Sequence, residues 1–249
     1  MSTVSSPSPL IEPLIPLFQG VRQALLGQSH TLTVFLSMFR GQTISMDPNT
    51  HRPHTSTVQG IDLELSALLA FFRDLFPQPS VSSPGLWHSV PQVSVMDPTT
   101  IPIHGRLAAA LSQPQDPRNL CHLRFIVVVI IFHQLAHAVA SHFQKGTLSL
   151  EDHAYPYYLS CRAPPVMRFP EHGFSVEDDL FGGIVGVIFE DELSGPPPMF
   201  FESDFTRISF LFLHCRNGLT YRLGTPYFVR HNRDYWLNEF QIQLIWKIG

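Results

Sequence analysis

The sequence predicts an α+β fold, and three observations carry that reading. Residues 61–76 place apolar side chains at helical spacing, and residues 119–143 hold the most apolar stretch of the chain. Residues 184–189, just after Gly182-Gly183, form an apolar run short enough for a buried strand. Residues 208–216 and 219–223 flank Asn217-Gly218, the pair that favours a type I′ hairpin turn. Helices thus occupy the middle of the chain and strands its later third, which is the α+β pattern.

Taken in order, residues 1–9 are rich in Ser and Pro and are expected to be disordered, with residues 10–249 forming one domain. Residues 10–26 are apolar but broken by Pro13 and Pro16, which predicts a docked arm and then a short helix. Residues 31–39 alternate enough for a strand, and 41–60 read as turn and loop around Asp47-Pro48-Asn49 and Arg52-Pro53. The helix at 61–76 uses Ile61, Leu65, Leu68, Leu69, Phe72 and Leu75, and Pro77 ends it. From 77 to 102 Ser and Pro dominate, predicting an irregular excursion pinned in part by Trp87. A short helix is expected through 106–112, a stop at Asp116-Pro117, and then the long helix over 119–143. Pro196-Pro197-Pro198 separates the 184–189 strand from the hairpin, and no repeat of solenoid period is present.

Composition narrows the function classes. With 249 residues, 44% of them hydrophobic, the chain has enough apolar material for one compact core. Its 16 Lys and Arg against 20 Asp and Glu, with no basic cluster, give nucleic-acid phosphates nothing to grip. Cys121, Cys161 and Cys215 are an odd set without a Cys-x-x-Cys pair, so neither a disulfide scaffold nor a thiolate cluster is expected. The opening residues lack a basic segment followed by an apolar one, and a cytoplasmic location is expected. The run 125–132 could reach membrane length only by taking in Arg124, His133, Gln134 and His137, which argues against a span.

One arrangement has chemistry attached. In His133-Gln134-Leu135-Ala136-His137 two histidines lie four apart on a predicted helix. They differ by about 40° around its axis and about 6 Å along it, so both imidazoles can reach one ion. Because 13 His in one chain make such a pair easy to obtain by chance, context decides. Here an apolar run leads into the motif, and Ala136, Ala138 and Ala140 leave room beside it. On the same helix His142 points the opposite way and His122 lies about 16 Å off, so further ligands must come from the acidic segment 170–179.

These residues resemble the gluzincin branch of the zincin metallopeptidases, in which a His-Glu-x-x-His helix is completed by a Glu from a later helix. The run Glu171-x-Gly173-x-x-x-Glu177-x-x-x-Phe181-Gly182-Gly183 is also similar to uncharacterised fungal proteins that pair it with a His-Glu-x-x-His helix. The resemblance implies a zincin-like fold with a central active-site helix and a zinc cofactor. It makes His133 and His137 two ligands and Glu171 or Glu177 the third, with Glu171 preferred. Asp178 or Glu177 then becomes an outer carboxylate that orients an imidazole. The family's general-base Glu is replaced by Gln134, whose amide can orient water but cannot take its proton near neutral pH. The function implied is a metal-binding, inactive or weakly active metallopeptidase homologue, acting on peptide or protein if at all. Tyr157, in the aromatic cluster 153–158, is the candidate oxyanion stabiliser.

Plainer readings stand beside these. His133 and His137 can be core histidines bonded to backbone or to acidic neighbours, and the protein a non-enzymatic intracellular interaction protein without metal. Ser175 and Asp178 have capping-box spacing for a helix start. The cluster 153–158 can be packing, and Glu190-Asp191-Glu192 a solvated patch. His214 and Cys215, adjacent on a strand, point to opposite faces. A membrane-associated protein using the 120–143 helix is a third reading.

Overall fold

The computed structural model describes residues 8–27, 29–40, 43–46, 53–56, 63–82, 99–143, 172–190, 204–214 and 220–223. Among them the chain is a mixed α+β arrangement of helices and small sheets around one apolar core running from Leu14 to Leu223.

A 3-10 turn, Glu12–Leu14, leads into α1 (Ile15–Gly27), with Pro16 tolerated because first-turn residues have no intrahelical acceptor for their N–H groups. The expected arm and helix are therefore found, with the helix longer than expected. Residues 31–39, expected as a strand, belong instead to α2 (Ser29–Arg40). Thr31 and Phe35, like Leu32 and Leu36, are buried one helical turn apart, and packing on α1 and α6 overrides the β-branched composition. The predicted loop at 41–60 contains an antiparallel pair, β1 (Thr43–Met46) and β2 (Pro53–Ser56). The helix expected over 61–76 is α3 (Leu65–Asp74), its buried face formed by Leu68, Phe71 and Phe72.

The expected excursion at 77–102 holds two strands, β3 (Gln78–Ser82) and β4 (Thr100–His104), paired in parallel from Gln78↔Thr100 to Ser82↔His104. Pro79 and Pro102 hid them, since proline is tolerated in a two-stranded sheet, where each strand has an edge. β4 runs straight into α4 (Gly105–Ser112), close to the predicted 106–112.

α5 (Pro117–Phe143) is the axis of the fold. Asp116 Oδ1 accepts from the N–H groups of Arg118 and Asn119, both at 3.0 Å, and Pro117 occupies the first turn, so the predicted stop is this helix's start. Its apolar side chains point in all directions because α1, α4, α6, β4 and β6 surround it. The helix is long and apolar enough to cross a membrane, with mean hydropathy 1.9, yet 89% of that stretch is buried inside the protein.

α6 (His172–Phe181) packs on α5, with Phe181 edge-on to Phe125 and Phe132 at ring-centre distances of 5.8 and 5.9 Å. Phe132 in turn meets Phe35 of α2, and Phe35 meets Phe72 of α3, so one aromatic chain joins four helices. Burying each ring contributes about 2 kcal/mol or more. Gly182 at φ 80° ends α6, a conformation other residues adopt only with strain. β5 (Ile184–Phe189) follows with the predicted limits and joins β6 (Ile208–His214) and β7 (Thr220–Leu223) in an antiparallel sheet, order β5-β6-β7. The hairpin register includes His214↔Thr220, while Asn217 and Gly218 lie outside the described residues.

Candidate functional site: a buried histidine and glutamate cluster

The helical period sets His133 and His137 one turn apart on α5, at 3% and 7% exposure, and α6 lays Phe174, Glu177 and Phe181 across that face at spacings of three and four. His133 Nδ1 lies 2.7 Å from Glu177 Oε1, and the other oxygen, Oε2, accepts the Val185 N–H at 3.0 Å. At the far edge of the His133 ring, its Nε2 is 3.3 Å from His137 Nε2. Phe174 stands edge-on to the His133 ring, 5.1 Å between centres. A Cβ on Gly173 would sit well inside van der Waals contact with atoms of that ring, so only glycine lets α6 come this close.

Glu177, His133 and His137 thus form one buried chain of polar contacts, with the carboxylate on Nδ1 of His133 and the second imidazole on its Nε2. The carboxylate of Glu177 links α5, α6 and the start of β5 through hydrogen bonds sheltered from water.

This donor set does not fit the expected zinc. Among the described residues no group of three or more His, Cys, Asp or Glu could hold a metal ion. Glu177 fails as third ligand because it faces Nδ1 of His133, across the ring from the point where the two Nε2 atoms meet, and both its oxygens are engaged. Glu171, the preferred ligand, and Tyr157, the candidate oxyanion stabiliser, lie outside the described residues. The zinc cofactor and the metallopeptidase-like, metal-binding function are corrected accordingly. Gln134 is buried on α5 at 2% exposure. Ser175 falls inside α6, which begins at His172, so the Ser175/Asp178 spacing does not mark a helix start.

A second polar feature went unread in the sequence. His104 ends β4 and is the N-cap of α4, its Nδ1 accepting the Arg106 N–H at 3.3 Å. Burial and then the Arg106 charge push its pKa down to about 4. The cap went unpredicted because Ser, Thr, Asp or Asn, the residues that signal a cap, do not occupy the position. Beside it lies a groove of about 460 Å³ between α4, through Arg106, Ala109, Ala110 and Gln113, and the turn at Asp204 and Phe205. Of the expected solvated patch at 190–192, the described Glu190 is half-exposed and pairs with Arg207 at 3.1 Å.

No family model matches the sequence, and no curated protein or solved structure matches it.

Proposed function

We propose that this chain is a non-enzymatic intracellular interaction protein, and that His133, His137 and Glu177 serve its architecture rather than catalysis. The observation that carries this reading is the full engagement of Glu177, one oxygen on His133 Nδ1 and the other on the Val185 N–H. A reaction centre would need a nucleophile or a bound water at the outward nitrogen of His133. That nitrogen instead meets His137, and all three side chains are buried.

We read the scaffold as zincin-like in descent, supported by a central helix that offers two histidines and a later helix that answers with a glutamate. In that reading, hydrogen bonds within the core take the place of ion binding. A peptide or protein is the expected partner; Leu26 on α1, Leu65 at the start of α3, Leu75 just past its end and Tyr221 on β7 are exposed.

The test is Gln134→Glu, which restores the missing carboxylate, assayed with a broad peptide mixture and zinc supplied. The account predicts no hydrolysis above wild type. Turnover that appears with Gln134→Glu and disappears on His137→Ala would overturn it.

A further inference from the structure

We propose that His104 is an acid-responsive cap on α4: unprotonated at Nδ1 it holds the helix start, and on taking a proton there it lets go and reshapes the groove that α4 walls. The geometry makes the bond one-directional. Nδ1 accepts from the Arg106 N–H, so a proton on Nδ1 would set donor against donor. The added charge would also face the positive end of a helix dipole. His104 is 3% exposed, so water cannot solvate that charge where it forms.

The surroundings press the same way. From α4 the charged group acting on His104 is Arg106. β3 contributes Ser82, its register partner, which does not titrate. The turn ahead of β6 places the Phe205 ring 6.0 Å away, and its carboxylate, Asp204, already accepts two hydrogen bonds from Thr206. α5 also packs on β4, and burial favours the neutral form of its His122 too. Arg106 connects the cap to the groove, since its backbone N–H is the capped donor and its side chain lines one wall. Releasing the cap therefore moves a wall residue of the groove directly.

Hydrogen exchange of the intact protein at pH 7 and pH 4, corrected for the intrinsic rate at each pH, tests this. Protection of the amides from Arg106 to Ala109 should fall by about five- to tenfold at pH 4, the scale of losing one helix cap, while the middle of α5 stays protected. His104→Asn supplies a side-chain acceptor that does not titrate in this range and should keep α4 protected at both values. Unchanged protection in wild type, an equal loss across α5, or the same loss in His104→Asn would overturn the proposal. If His104→Asn does not fold, nitrogen chemical shifts of the wild-type ring decide. Nδ1 must be bare at pH 7 and gain its proton in step with the loss of protection; a ring already protonated on Nδ1 at pH 7 would refute the cap.

Discussion

His133 and Glu177 form a hydrogen-bonded pair in which each side chain is only 4% exposed, with Nδ1 2.7 Å from Oε1. Forty-four positions separate them in sequence, so the pair fixes how α6 lies on α5. The second oxygen of Glu177 extends the link to Val185, which sets where β5 starts.

Removing the carboxylate should therefore cost more than one surface contact. Glu177→Ala leaves the His133 imidazole and the Val185 N–H buried without their partner, and should destabilise by about 3 kcal/mol. Glu177→Gln keeps an acceptor for one of the two donors and should cost roughly half of that. Urea unfolding of the two variants beside wild type checks the order, and equal midpoints for all three would show that the pair contributes nothing.

Close approach at Gly173 predicts a sharp contrast between two glycines. Gly173→Ala must push the His133 ring aside and should destabilise by about 1–3 kcal/mol. Gly27, at the end of α1, has nothing within 4 Å of an added Cβ, so Gly27→Ala should be neutral or slightly stabilising. Melting curves of the two variants should move in different directions or by clearly different amounts.

Arg22 of α1 donates from Nε to the Phe72 carbonyl at 3.2 Å and from a terminal nitrogen to the Arg73 carbonyl, closing the C-terminal end of α3 from a neighbouring helix. Arg22→Ala should cost about 1–2 kcal/mol, and Arg22→Lys should recover only part because its compact ammonium does not match the guanidinium fork. Chemical denaturation of both variants measures the difference.

Buried neutral histidines give stability a definite pH dependence. His104 has its pKa lowered from 6.5 to about 4, so below pH 6.5 the unfolded chain takes up the proton before the folded one does. This contribution is complete above pH 6.5 and is lost as pH falls toward 4. His122, lowered by burial and by Arg118, acts in the same direction. The free energy of unfolding should drop by about 2 kcal/mol between pH 7 and pH 4 on account of His104, and His104→Asn should flatten that slope.

Long-period patterns were the legible part of the fold. α5, α4 and β5 lie close to where apolar runs and breakers placed them, since each is dominated by a run that one structure alone can bury. α2 was misread because Thr31 to Leu36 satisfy both a strand's composition and a helix's spacing, and only the neighbouring helices choose between them. β3 and β4 were hidden by Pro79 and Pro102 and by a pairing between residues 22 apart, such as Gln78 and Thr100, which no local pattern reveals. In the site, helical spacing brought His133 and His137 together, while Glu177 was a candidate both for third ligand and, with Asp178, for the outer carboxylate that orients an imidazole. Spacing could not say which nitrogen the carboxylate would face, and that choice separates a metal ligand from a core hydrogen bond.

The most direct test of the central claim is thermal unfolding of the wild-type protein after exhaustive chelation, with and without zinc added back, beside Glu177→Ala. If the cluster is held by its own hydrogen bonds, the two wild-type curves coincide and only Glu177→Ala melts several degrees lower. A chelated wild type that melts as low as Glu177→Ala and is restored by stoichiometric zinc would contradict the account.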